Sequence, residues 1–146
     1  MPKQRDLCHL HVGRQCARRG TLEETGLMVD QLTCAAELRV VEQAGPQWLG
    51  YVFVAEHCAG ELTQTREAKP FWCDLNAIPY PSMSADDALW LPRVLEQARG
   101  QTSFAARLVQ DFLFNDGELL AFEPAKQAEL SFSVTQPRAA QPSSRA

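Results

Sequence analysis

The stretch Arg19-Gly20-Thr21-Leu22-Glu23-Glu24-Thr25-Gly26-Leu27 decides how the rest of the chain is read. A helix from Gln15 to Thr25 sets positions 20, 23 and 24 on one face, because residues three and four apart are helical neighbours. Gly26 ends it, since glycine accepts the left-handed backbone that closes a helix. Glu23 and Glu24 stand side by side on the last turn, where like charges repel and acids oppose the negative end of the helix dipole. A cation seated on the pair offsets both costs. A solvated helix face is the other reading of the same two residues.

Around this helix lie 146 residues, 45% of them hydrophobic, enough for one domain with its own core. No apolar run reaches the length of a membrane span and the N-terminus has no signal-peptide core, so a cytoplasmic location without a membrane partner is expected. The five cysteines, at positions 8, 16, 34, 58 and 73, are odd in number and form no C-x-x-C pair. That points to reduced thiols, not to a disulfide framework or a zinc site. The net charge of −4 argues against binding nucleic-acid polymers through their phosphates. Lys3, Arg5, Arg14, Arg18 and Arg19 nonetheless crowd the start of the chain, opposed there by Asp6 alone. The run is either a solvated basic terminus or a phosphate-facing patch.

Residues 1–14 show no sustained period and read as an irregular basic N-terminus, and Cys8-His9-Leu10-His11 fits no standard zinc spacing. Leu32 to Gln43 and Trp48 to His57 read as strands joined by a turn at Ala44-Gly45-Pro46-Gln47. The second is nearly continuous apolar from Trp48 to Ala55, the pattern of a strand buried on both faces. A polar loop over 58–70 leads to a short strand, Phe71 to Leu75. Ser84 with Asp87 three residues on approximates a capping box, so a helix starts here and runs towards Arg99, with Pro92 delaying or kinking it. Leu91, Val94 and Leu95 form its apolar side. Phe104 to Phe114 and Glu118 to Glu123 make a hairpin about the Asn115-Asp116-Gly117 turn. Residues 131–146 read as a disordered tail, leaving 15–130 as the folded domain. Helix, strands, helix, hairpin is not the strict alternation of a doubly wound fold. It predicts an α/β (α+β) fold, a mixed β-sheet sandwiched between helices.

Arg19, Glu23, Glu24, Gly26 and Leu27 resemble the second half of the Nudix box, G-x5-E-x7-R-E-U-x-E-E-x-G-U with U aliphatic. Gly20 stands where the box has a metal-binding Glu. Counting back places the box's earlier Glu at His11 and its first Gly at Arg5, and neither matches. A second region is similar to one branch of that family. Trp72, Ile78-Pro79, Met83, Asp86-Asp87, Trp90, Pro92 and the Phe112–Glu123 hairpin look like the MutT-homologue group, which hydrolyses oxidised purine nucleoside triphosphates such as 8-oxo-dGTP. Together the two regions cover roughly two-thirds of the chain in the family's order.

The resemblance implies a pyrophosphohydrolase that uses Mg²⁺ (or Mn²⁺) and a small-molecule nucleotide, releasing a nucleoside monophosphate and pyrophosphate. It implies Glu23, Glu24 and Glu67 as metal ligands, with Arg19 orienting the carboxylates. A few carboxylates and the substrate's phosphate oxygens suffice for Mg²⁺. Asp86 and Asp87 would hydrogen-bond the purine edge, one of them protonated because adjacent carboxyls resist joint ionisation. The residues by themselves also admit plainer roles: Glu67 as a loop acid, Asp86 and Asp87 as helix caps, Trp72 and Trp90 as core.

Ser84 occupies the place of a base-stacking Trp in that group, a loss of about 1–3 kcal/mol by analogy with single-strand stacking. The family sets strands and a glycine-rich loop ahead of the box helix, and the polar residues before Arg19 do not supply them. The N-terminal strands are therefore expected to be truncated, which opens a sheet edge and favours a homodimer. From a different class, the same departures read as a degenerate Nudix domain that binds nucleotide or a protein partner without catalysis. A broader Nudix hydrolase acting on nucleoside-diphosphate-linked substrates is a third reading, and it draws on Ser84.

Overall fold

The computed structural model describes residues 4–100, 106–123 and 126–129, with side chains described over 12–100 and 107–123. Helix α1 runs from Gln4 to Thr25, so it begins well before Gln15, and the segment read as irregular is its first half from Gln4 onward. Leu, Arg and Gln are good helix formers, no proline interrupts the run, and a long helix needs no apolar period to propagate. Gly13 within it lies against Phe53, where a Cβ would meet the ring at an ordinary contact distance of 3.4 Å. The helix stops where the sequence says it should. Gly26 takes φ of 79° and its N–H donates to the Leu22 carbonyl at 2.9 Å, while the Thr25 hydroxyl accepts from the Leu27 N–H at 3.2 Å.

Next in the chain come β1 (Met28–Val29), β2 (Thr33–Glu42), β3 (Gln47–Val54) and β4 (Cys58–Ala59). Helix α2 (Asp87–Arg99) follows a long connection, and β5 (Ala106–Asn115), β6 (Glu118–Phe122) and β7 (Lys126–Glu129) complete the order. β1 and β4 form a two-stranded antiparallel pair; the main sheet has five strands, ordered β3-β2-β5-β6, with β7 also on β5. β2 and β5 run parallel, in register from Ala36 opposite Leu108 to Glu42 opposite Phe114, and the remaining pairs are antiparallel. The β5–β6 turn has Asp116 at φ 49° and Gly117 at φ 79°, the two left-handed residues that match the twist of a hairpin. β7 was not legible in advance: Lys-Gln-Ala-Glu has no alternation, and pairing with Ala106 to Val109 makes it a strand.

Two strand expectations need correction. β3 is not buried on both faces: it lies at the sheet edge, its residues 47–50 are all exposed, and the strand buried throughout its centre is β2, over residues 34–38. Phe71 to Leu75 is not a strand. The Asn76 N–H bonds the Asp74 carboxylate at 2.8 Å and the Ala77 N–H bonds the Asp74 carbonyl at 2.9 Å, so local Asx-type bonding folds this backbone into a turn. Phe71 and Trp72 are then about 70% exposed, which removes Trp72 from the core.

The core lies between the sheet and α2. Ala35, Ala36, Leu38, Leu108, Phe112 and Phe114 pack with Val94, and Leu89, Trp90, Val40, Val52, Val54 and Leu119 close around them. Successive strand residues point to opposite faces. Val52 and Val54 therefore meet the core, while Tyr51 and Phe53 face Gly13 of α1, and the Arg14 guanidinium sits 6.0 Å from the Phe53 ring centre. The sheet is sandwiched between the two helices. On its α1 side, Glu37 is buried and bridges Arg107 at 3.0 Å and Arg39 at 3.4 Å. Cys16, Cys34, Cys58 and Cys73 are free thiols, and among the described residues no helix is long and apolar enough to cross a membrane. The expected tail, 131–146, lies outside the described residues.

Candidate functional site

Glu23 and Glu24 are exposed on the final turn of α1. Arg19 lies one turn earlier, its Nε 3.9 Å from Glu23 Oε1, with both side chains mostly in solvent. Such a pair contributes about 0–1 kcal/mol, so its use is to bias the direction of a carboxylate more than to hold the fold. Gly20 shares this face, and a Cβ built there meets nothing within 4 Å. The space for a third carboxylate exists; the residue does not.

The helix end is clamped by the chain after β3. β4 pairs with β1, and the Thr63 N–H donates to the Thr25 carbonyl at 2.9 Å. Gly26 and Gly60 make the close approach between them: a Cβ on Gly26 would lie 2.9 Å from the Glu61 carbonyl oxygen, and one on Gly60 would lie 3.0 Å from the Gly26 oxygen. The sequence reading saw only a polar loop here, because the backbone contact depends on two glycines at a distance from one another. Both take left-handed φ values, 79° and 96°, which glycine permits, but glycine in a sequence does not announce a partner.

Glu67 does not join the helix carboxylates. It sits exposed in its own turn, where its N–H bonds Thr65 Oγ1 at 3.3 Å and the Thr65 N–H bonds the Ala68 carbonyl at 2.9 Å. Among the described residues no three His, Cys, Asp or Glu side chains gather as a metal-binding group. The donor set on α1 is thus two adjacent carboxylates. This suits Mg²⁺ held jointly with phosphate oxygens and water; it does not suit a cage made by the protein alone.

The second cluster opens α2. That helix begins at Asp87, three residues after Ser84, and it runs on through Pro92 to Arg99. Asp86 has both carboxylate oxygens engaged: Ser84 Oγ donates to Oδ1 at 2.5 Å, and the Trp90 indole N–H donates to Oδ2 at 3.2 Å. The Ser84 N–H donates to Asp87 Oδ2 at 3.2 Å, but the N-cap is Asp86 and it makes no side-chain cap hydrogen bond. The expected Ser84–Asp87 capping box therefore does not form: the Ser84 hydroxyl is spent on Asp86. Ser84 therefore has a local task in fixing the acid pair, and Trp90 combines core packing with a bond to Asp86.

Burial first, and the neighbouring Asp86 carboxylate second, raise the pKa of Asp87 above the ordinary carboxylate value. The folded protein then holds a proton that the unfolded chain has already released. Asp87 supports the fold fully below its unfolded pKa, and that support is lost as pH rises through the folded value. Asp87→Asn should consequently gain stability relative to the native chain on going from about pH 4 to about pH 7, read from urea midpoints at each pH. A constant difference between the two proteins would mean that Asp87 titrates alike in both states.

The molecule is a mixed-sheet α/β domain with a carboxylate pair closing one helix and an aspartate pair opening the other. No protein-family model matches the chain. It is 36% identical over 86 residues to an oxidized purine nucleoside triphosphate hydrolase of Danio rerio, covering 58% of this chain and 55% of that protein. It is 32% identical over 84 residues to the protein of the same name from Mus musculus, covering 57% and 54% respectively. The chain thus spans about half the length of the curated relatives it matches. A solved MutT protein from Bacillus halodurans superposes with a TM-score of 0.48 at 23% identity, over 73% of this chain and 69% of that one. The matches to the two curated hydrolases bear out the resemblance to the Nudix MutT-homologue group.

Proposed function

We propose that this chain is a Nudix-type, Mg²⁺-dependent pyrophosphohydrolase of oxidised purine nucleoside triphosphates such as 8-oxo-dGTP, releasing the monophosphate and pyrophosphate in the cytoplasm. The observation that carries the reading is the 36% identity to a hydrolase of that name. The site chemistry accords with it. Glu23 and Glu24 would hold the metal (Mg²⁺, or Mn²⁺ in its place), which supplies neutralisation of phosphate charge and activation of water. Arg19, 3.9 Å from Glu23, biases that carboxylate towards one orientation. Asp86, fixed by Ser84 and Trp90, presents a carboxylate as acceptor. Asp87, with its raised pKa, is the member of the pair suited to donate a proton to a purine ring nitrogen or carbonyl. Glu67 enters as a metal-facing acid only if its loop moves to the helix end.

The test is pyrophosphate release from 8-oxo-dGTP and dGTP with and without Mg²⁺. Metal-dependent release with preference for the oxidised base is expected. A second reading, a nucleotide-binding domain without catalysis, is favoured by Gly20 and by the separation of Glu67 from the helix acids. Saturable nucleotide binding with no release from either triphosphate would decide for it. Turnover of nucleoside-diphosphate-linked substrates in preference to triphosphates would instead move the substrate class.

A further inference from the structure

β3 stands at the end of the main sheet, with β2 as its strand partner among the described residues. Its sequence, Gln47-Trp48-Leu49-Gly50-Tyr51-Val52-Phe53-Val54, contains no charge and no proline. Those are the devices by which sheet edges usually repel another strand. Side chains pointing to both faces are uncovered in its first half, where Trp48 is 57% and Leu49 49% exposed. Gly50, at the middle, has no packing reason among the described residues. Its backbone is not left-handed, an added Cβ would meet only the Leu38 carbonyl oxygen at 3.8 Å, and the irregularity in the β2–β3 register lies elsewhere, between Cys34 and Ala36. Glycine weakens a strand interior and marks a bulge, a bend or the close approach of another backbone. The geometry here leaves the last.

We propose that the outer edge of β3 pairs antiparallel with β3 of a second copy, about a two-fold axis at Gly50. An axis normal to the sheet keeps the same face upward in both copies, so residues meet with equal parity. Gly50 then opposes Gly50 of the partner subunit, Leu49 opposes the partner's Tyr51, and Trp48 opposes the partner's Val52. Aromatic residues opposite β-branched and aliphatic ones are favourable cross-strand pairs. The contact is isologous, and because the strand is uncharged no like charges meet across the axis. A charged partner strand would find no counter-charge on this edge, which is why a second copy fits it best. The pairing joins two five-stranded sheets into one.

The experiment is light scattering of the full chain after size exclusion, with Gly50→Lys and Gly50→Glu beside it. The native chain should run at twice its 16.3 kDa mass. Each variant puts like charges on the axis and should run as a monomer with an unchanged far-UV circular dichroism spectrum. Mixing the two variants in equal amounts sets opposite charges on the axis and should restore the doubled mass. If the Gly50 variants lose the native spectrum, Trp48→Lys, at an exposed side chain, replaces them and should also be monomeric. A monomeric native chain, a dimer indifferent to these charges, or a mixture of folded variants that stays monomeric overturns the proposal.

Discussion

If the proposed activity holds, replacing Gly20 with glutamate should raise Mg²⁺-dependent pyrophosphate release from 8-oxo-dGTP by about 10–100-fold. That range is what loss of a group supporting a bound metal usually costs, and a direct ligand should matter at least as much. The position favours the change. Residue 20 precedes Glu23 by three and Glu24 by four, so the new carboxylate lies about 5–6 Å from each at the Cβ level. Nothing stands within 4 Å of where its Cβ would be. The substitution also replaces a helical glycine, recovering up to about 1 kcal/mol of helix propensity. Against that, a third acid one turn before Glu23 and Glu24 adds repulsion that a cation relieves. Mg²⁺ should accordingly raise the melting temperature of the variant more than that of the native chain, a readout that does not depend on turnover. Glu24→Gln in the same background should remove both effects. A folded Gly20→Glu protein without a metal-dependent rate would show that the missing ligand was not the only obstacle to catalysis.

How much of this was legible beforehand depends on the range of the interaction that decides each element. Gly26 stops α1 through bonds to residues within four positions, and the Asn115-Asp116-Gly117 turn needs only its own backbone angles. Both could be read from the chain. The start of α1 was missed because polar helix formers without an apolar period look irregular until the whole helix is seen to propagate. β3 was misjudged for a related reason. A continuous apolar run says that side chains prefer burial, but exposure is set by which strand lies at the sheet edge, and that order is a tertiary fact. Phe71 to Leu75 lost its strand to the Asp74 side chain, a local competitor that the apolar pattern conceals.

The site divides the same way. The adjacency of Asp86 and Asp87 and the distance from Ser84 to Asp87 were visible as spacing, and the bonds from Ser84 and Trp90 give that spacing a geometry other than a capping box. Glu67 had only alignment to recommend it, and among the described residues it forms no three-member acidic group with Glu23 and Glu24. The clamp from Thr63 to Thr25 had no signal that a single sequence displays.

The acid pair at the start of α2 is only as well placed as the sheet beneath that helix, and one side chain dominates there. Phe112→Ala should destabilise the protein by about 3–5 kcal/mol. Phe112 is 2% exposed, sits opposite Val40 in the parallel ladder with β2 and opposite Phe122 in β6, and belongs to the cluster that receives Val94 of α2. Removing its ring loses the transfer energy of the buried atoms and leaves a cavity that strands on either side cannot collapse to fill. Native domains are stable by only about 5–15 kcal/mol, so the variant should give up a large fraction of the total. Phe122→Ala is the matched control. It is a phenylalanine on the same rung, but 53% exposed, and its loss should move the urea midpoint far less. Both should leave the urea m-value close to native if the unfolded states are alike. Equal losses for the two would mean that β6 and β5 share burial evenly and that the core on this face extends over Phe122. A large loss at Phe112 alone ties the stability of the sheet to the helix that carries Asp86 and Asp87. It also predicts that partial unfolding of that face disrupts the aspartate pair before it disturbs Glu23 and Glu24, which are anchored separately through Gly26 and Thr63.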